Sequence, residues 1–238
     1  MITHKNINAK NLMLFDPDYA SDFKINVSLG VLPFFHAFGL HSGLTGLILG
    51  KKIIVLPVFN PIQYLECIEK YKIPILGMVP PLVNFLAKSP LVDGFDLSHV
   101  EELIVGAGPI GKDLQYEIKK KFGIKHITQG YGLTEVTIGL TLAPKNKEKI
   151  GSCGTPIPGA YLVIKDLETG RNLGPNQTGE ICCKSDCVMK GYYKNEEATR
   201  ESFTADGWLR TGDIGYYDEE NYFYIVDRLK ELIKYKGY

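Results

Sequence analysis

The stretch Glu102-Leu-Ile-Val-Gly-Ala-Gly-Pro-Ile-Gly-Lys-Asp-Leu-Gln-Tyr-Glu-Ile-Lys-Lys-Lys-Phe-Gly-Ile-Lys-His-Ile-Thr128 decides the fold. Its first four residues are a short apolar run that ends in Gly106-Ala-Gly-Pro109, a strand running into a turn. Leu114, Ile118 and Phe122 then recur every fourth residue, which puts them on one face of a helix. Gly123 ends that helix, since glycine accepts the left-handed conformation of a helix terminus without penalty. His126-Ile-Thr128 begins the next strand. The same alternation continues upstream. Ile53-Ile-Val-Leu56 is a β-branched run, and Asn60-Pro61 starts a helix with Ile62, Leu65 and Ile68 on one face. Ile75–Val79 is a further strand closed by Pro80-Pro81, with a helix near 82–88 after it. Repeated β-α units predict an α/β fold: a parallel sheet covered by helices.

The pattern changes after Pro144. Lys145-Asn-Lys-Glu-Lys149 is a polar run that reads as a solvated loop. Short strands follow at 161–165, at 178–184 and in a hairpin through 216–226, with one helix near 196–203. Residues 1–145 are therefore expected to form the α/β part, and 146–226 a smaller β-rich subdomain.

Composition narrows the function. Lys plus Arg equals Asp plus Glu at 27 each, so no net field draws the chain to nucleic acid or an acidic membrane. No apolar run reaches the roughly 18–20 residues of a transmembrane segment, and Met1-Ile-Thr-His-Lys-Asn6 has no secretory character. Five cysteines in 238 residues are too few for a disulfide scaffold. Cys182-Cys183-x3-Cys187 lacks a nearby histidine and a zinc-type spacing, so free thiols in a reducing, cytoplasmic-type compartment are expected.

Thr128-Gln-Gly-Tyr-Gly-Leu-Thr-Glu135 is the segment best suited to chemistry. It follows a predicted strand, where ligands of open α/β sheets gather. Gly130 and Gly132 let the backbone approach a flat ligand, and the Tyr131 ring suits stacking on a base. Thr134 offers a hydroxyl to a phosphate and Glu135 a hard oxygen to Mg²⁺. Taken alone, Gly-Tyr-Gly serves equally as a turn, and Glu135 as a solvated charge.

These residues, with several others, resemble the adenylate-forming superfamily, in its branch of beetle luciferases, 4-coumarate–CoA ligases and fatty acyl-CoA synthetases. The resemblance is strongest toward insect luciferase-like members. It rests on Pro33-Phe-Phe-His-Ala-Phe-Gly39, Val105-Gly-Ala-Gly-Pro109, Tyr131-Gly-Leu-Thr-Glu135 and Thr178-Gly-Glu180. It continues through Lys190-Gly-Tyr-Tyr193, Asn195-Glu-Glu-Ala-Thr199, Gly207-Trp-Leu-Arg-Thr-Gly-Asp213 and the run from Ile225 to Tyr238.

The resemblance implies roles residue by residue. His36 matches a histidine beside the acyl carboxylate and α-phosphate, and Phe38 a wall of the acyl pocket. Gly106, Ala107, Gly108 and Pro109 match a ledge between adenine and acyl chain, although Gly108-Pro109 is equally a plain strand-to-helix turn. Gln129, Gly130, Tyr131 and Gly132 fall in the nucleotide-binding segment, with Thr134 and Glu135 on phosphate and metal. Asp213 matches the carboxylate that accepts both ribose hydroxyls, and Arg228 an arginine near ribose and phosphate. Asp227 falls at the hinge to a C-terminal domain, so 227–238 form the hinge segment; it also reads as the end of a hairpin strand. Lys234 matches a lysine on the thioester-forming face, or belongs with Lys230 and Lys236 to a solvated basic strip.

The implied chemistry is ATP-dependent acyl-adenylate formation with Mg²⁺, then transfer to CoA, with a carboxylic acid as the third small-molecule partner. Thr3-His-Lys-Asn6 matches the segment that trails the family's phosphate loop, which places that loop upstream and the C-terminal domain downstream. The 238 residues alone are accordingly expected to be inactive as a ligase, with an inactive nucleotide or acyl-adenylate binder as the alternative reading. Ile138 stands where luciferases have a small hydroxyl residue, so a fatty acyl-CoA ligase is favoured over a luciferin 4-monooxygenase. Relatives of this branch are often peroxisomal, which the resemblance extends to this protein.

Overall fold

The computed structural model describes residues 1–19 and 26–229. The chain opens with α1 (His4–Leu12), capped from Thr3. The Thr3 hydroxyl accepts from the Asn6 N–H at 3.2 Å, and Asn6 Oδ1 accepts from the Thr3 N–H at 2.8 Å. That reciprocal cap satisfies two donors a helix start leaves open. Beyond it, β1 (Val27–Gly30) pairs in parallel with β2 (Lys52–Val55), and α2 (Ala37–Ile48) crosses between them.

The main sheet follows: α3 (Pro61–Tyr71), β3 (Ile75–Met78), α4 (Pro80–Lys88), β4 (Glu102–Val105), α5 (Lys112–Phe122) and β5 (His126–Tyr131). Strands β3, β4 and β5 are parallel neighbours, as the alternation predicts. Two short strands, β6 (Thr141–Leu142) and β7 (Thr155–Pro156), extend this sheet antiparallel. Asn60 caps α3, its Oδ1 accepting from the N–H groups of Ile62 and Gln63, each at 3.0 Å. Leu65 and Ile68 are fully buried, but Ile62 is 50% exposed. At 3.6 residues per turn Ile62 lies about 120° from Ile68, off the stripe that Tyr64, Leu65 and Ile68 form. On α5, Ile118 is the fully buried member of its predicted face.

The expectation of a helix starting near 82 is corrected to Pro80, because proline at the first helical position loses no N–H that a helix would use. Helix α2 is not visible in the sequence pattern, since Gly39, Gly43 and Gly46 dilute it. The reason is packing: a Cβ on Gly39 would lie 2.2 Å from the Pro33 carbonyl oxygen, so only glycine lets this turn close against its own approach segment.

The second part is one antiparallel sheet. It contains β8 (Ala160–Lys165), β9 (Asn172–Leu173), β10 (Gly179–Ser185), β11 (Leu209–Tyr217) and β12 (Phe223–Arg228), in the order β12-β11-β10-β8-β9. The short helix α6 (Glu196–Glu201) precedes β11. Asp227 lies within β12 opposite Ile214, so the hairpin runs two residues further than the sequence suggests. Both faces of β10 are covered, because Ile181, Cys182 and Cys183 each have no exposed surface.

All five cysteines are free, and all but Cys67 are buried. Among the described residues no cluster of His, Cys, Asp or Glu suits a metal ion. Burial pushes the Cys182 and Cys183 thiols up to about 12 and Cys153 to about 11. For the first two that leaves about a thousandfold less thiolate than an ordinary thiol at pH 8. Brief treatment of the native chain with iodoacetamide is therefore expected to label Cys67 first. Mass spectrometry should find the other four modified only after unfolding; early labelling of Cys182 or Cys183 contradicts this burial.

Candidate active site

The carboxyl ends of β4 and β5 and the front of β11 converge. At the end of β5 the Tyr131 hydroxyl donates to Asp213 Oδ2 at 2.7 Å. Asp213 is buried on β11 and faces Arg228 in the ladder, with Arg228 Nε 3.5 Å from its other oxygen. The Asp213 N–H donates to the Thr211 hydroxyl at 3.1 Å. Burial, with the Asp213 charge beside it, holds the Tyr131 phenol well above its usual range, so it stays a donor. One carboxylate oxygen is engaged by Tyr131. A carboxylate offers about four lone-pair sites, so it can serve several donors at once.

Glu180 stiffens this corner. Its Oε2 pairs with Arg210 at 2.7 Å, and its Oε1 accepts from the Gly212 N–H at 3.3 Å. The sequence shows Thr178-Gly-Glu180 as a motif without assigning this function. The signal was a buried charge between strands, which becomes visible only once the register of β10 and β11 is known.

Glu135 sits in a single tight turn, Thr134–Val136. Its carboxylate accepts from the Tyr192 hydroxyl at 2.9 Å, and its carbonyl accepts from the Met189 N–H at 2.7 Å. Thr134 is exposed next to it. Thr137 and Ile138 follow with φ of 53° and 88°. A β-branched residue at positive φ is strained, and such strain persists only where its surroundings hold it. The Ile138 carbonyl packs against Gly132, which ties the strained turn to the Tyr131–Glu135 segment.

After β4, Ala107 takes φ of 62° between Gly106 and Gly108. The Phe38 ring lies on this turn: a Cβ on Gly106 would meet it at 3.1 Å, and one on Gly108 would meet Pro80 at the same distance. Pro109 is exposed at the end of the turn. The flat, side-chain-poor surface is thus bounded by Phe38. His36 is the N-cap of α2, with Nδ1 accepting from the Phe38 N–H at 3.1 Å. That bond assigns the proton to Nε2, which is left as an outward donor.

Gln129 and Gly130 also have internal contacts. The Gln129 carboxamide is consumed internally, accepting from the Ile110 N–H at 2.9 Å and donating to the Ser152 carbonyl at 3.3 Å. It braces the ledge loop. Gly130 lies against Leu142 and the Thr141 carbonyl, a packing position in the strand. Lys234 lies outside the described residues.

Two ionisable groups, Lys10 buried and His41 half-buried, escaped the sequence analysis. Lys10 on α1 is 5% exposed, and His41 on α2 lies one turn beyond Phe38. Burial, reinforced by the charge of Lys10, pushes His41 down to about 4. The unfolded chain takes up that proton near 6.5. Between about 6.5 and 4 the unfolded state therefore binds more protons, and stability falls as pH falls through that window. Urea melts at pH 7 and pH 5 should differ by about 1–2 kcal/mol more for the wild type than for His41→Phe. Equal pH dependence in the two proteins contradicts the lowered proton affinity of this ring.

The sequence profile described as AMP-binding enzyme matches residues 1–193. Luciferin 4-monooxygenase of Photuris pensylvanica is 42% identical over 100% of the chain, which spans 44% of that relative. Probable 4-coumarate–CoA ligase 3 of Dictyostelium discoideum is 48% identical over 92% of the chain and 40% of its own length. The solved structure of ATP-bound MatB from Rhodopseudomonas palustris superimposes with a TM-score of 0.90 at 30% identity, covering 100% of this chain and 46% of that one. The chain thus spans less than half the length of these relatives.

Proposed function

Since the chain belongs to the AMP-binding enzyme family, we propose that it supplies the nucleotide and acyl site of an enzyme that activates a carboxylic acid with ATP. The observation that carries this reading is the Tyr131–Asp213–Arg228 group at the carboxyl end of β5. Asp213 is oriented by Tyr131 on one side, and its carboxylate accepts the two ribose hydroxyls. Arg228 adds positive charge for the phosphates. The ledge from Gly106 to Pro109 lies between the flat adenine and the acyl chain, with the Phe38 ring as a wall on the acyl side. His36 turns its Nε2–H toward the reacting carboxylate and stabilises charge that develops there.

Glu135 and Thr134 fit a magnesium ion bound with phosphate. Mg²⁺ keeps several waters and takes only one or two protein carboxylates, so a single glutamate beside an exposed hydroxyl suffices. Bound there, the ion would neutralise phosphate charge; the chain's own part is to hold the reactants in line. Transfer of the activated acyl group to the thiol of CoA follows as the second half-reaction, with Asp227 as the hinge between the two.

The test uses the whole protein that carries this chain, with Mg-ATP, CoA and a panel of aliphatic and aromatic acids. Pyrophosphate release that depends on an acid, followed by thioester formation, is expected. No release with any acid would remove the reading, and adenylate without thioester would remove its second half.

A further inference from the structure

Lys10 is buried without a counter-charge. Only 5% of the residue is exposed, and among the described residues its ammonium makes no hydrogen bond or ion pair. Its neighbours offer none. His41 is neutral at physiological pH, and Cys187 is a buried residue within electrostatic reach. A packed methionine would fill the same space without desolvating a charge, so the fold gains nothing from a lysine here.

The position of the ammonium points to a ligand. Nζ lies so close to the backbone of Gly139 that a Cβ there would be 2.8 Å away. Gly139 follows Ile138, in the strained turn that backs onto Gly132 and the Tyr131–Glu135 segment. His41, within electrostatic reach of this ammonium, lies one helical turn beyond Phe38, whose ring covers Gly77 and Gly106. Lys10 therefore places one positive charge against the Ile138–Gly139 turn and within electrostatic reach of His41 on α2.

Resting on the acyl-activating reading above, we propose that Lys10 is a specificity residue that pairs with a second carboxylate at the far end of the substrate. The substrate class is then a dicarboxylic acid, with an aliphatic middle lying against Ile138 and Phe38. This narrows the fatty-acid expectation drawn from Ile138 alone. Burial lowers the Lys10 ammonium to about 8, so it is still largely charged at pH 7, and an incoming carboxylate would raise it again.

The experiment compares octanoate with octanedioate in the whole protein, as wild type, Lys10→Met and Lys10→Arg. In wild type the ratio of kcat/KM, diacid over monoacid, should exceed tenfold. Lys10→Met should lower that ratio at least tenfold, mainly through KM for the diacid, and Lys10→Arg should keep most of it. A second readout does not need turnover: with ¹³C-methylated lysines, octanedioate should raise the titration midpoint of the Lys10 signal by about one pH unit, and octanoate should leave it in place. A ratio unchanged by Lys10→Met in a folded protein overturns the proposal, as does a Lys10 signal indifferent to saturating diacid. Movement of the Lys10 signal without pyrophosphate release from any acid would sink the activation reading and leave this one standing. Pyrophosphate release with an unmoved signal would do the reverse.

Discussion

Replacing Asp213 with alanine should weaken nucleotide binding by more than about a hundredfold. Each hydrogen bond to an ionised carboxylate is worth roughly 1.5–3 kcal/mol, and the proposed pair of ribose hydroxyls makes two of them. The check is the ATP concentration dependence of pyrophosphate release in the whole protein, together with calorimetry of AMP on the chain itself. The substitution also has a structural cost, because it strips the acceptor from the Tyr131 hydroxyl, now held at 2.7 Å. A buried donor left unsatisfied costs about 1–3 kcal/mol. Tyr131→Phe separates the two effects, since it removes the donor and leaves the ribose-facing oxygens in place. Its stability should recover much of what Asp213→Ala loses, with far better nucleotide affinity. Unchanged affinity in a folded Asp213→Ala would remove Asp213 from the site.

Gly132→Ala is expected to be the most destructive single methyl in the chain's central segment. The added Cβ would lie 1.9 Å from the Ile138 carbonyl oxygen and 2.6 Å from the Gly139 Cα. Both obstacles are backbone, so no rotamer change relieves them, and the strained turn from Thr137 to Ile138 must move. Overpacking of this kind costs about 3 kcal/mol, or roughly 6–12 °C in Tm for a chain of this size. Gly111→Ala is the control, because a Cβ there meets nothing within 4 Å and its φ is an ordinary −62°. Thermal melts of the two variants should differ by nearly the full amount. A Gly132→Ala melt within 2 °C of wild type would show that the turn yields.

The α/β part was legible wherever one local rule dominated. Asn60-Pro61, the Leu114–Phe122 spacing and Gly123 each carry their own start, face or stop, so the three-strand parallel core could be read off. Helix α2 could not, because its glycines serve contacts with residues elsewhere in the chain. The candidate site divides in the same way. Tyr131, Glu135 and Asp213 lie in motifs and were found by resemblance, and the structure joins Tyr131 to Asp213 across 82 residues. Gln129 lies in the same motif, yet its carboxamide turns inward, which depends on where Ser152 comes to rest. Lys10 carries no sequence signal, because a lysine in the last turn of a polar helix looks like a solvated charge; only tertiary packing buries it. Glu180 was likewise hidden until β10 and β11 were in register.

The anchoring of α1 has a consequence for biosynthesis. The Asn6 carboxamide that caps this helix also donates to the carbonyls of Asp186 and Val188, at 2.7 and 2.8 Å. Those partners lie about 180 residues downstream. At a ribosomal pace of about 5–20 residues per second, α1 waits roughly 10–40 seconds before its anchor is made. Until then Lys10 remains hydrated, and the helix has little apolar face to hold it in place. Docking of the first helix is thus timed by synthesis of the loop after β10, and the lysine is dehydrated only in that late step.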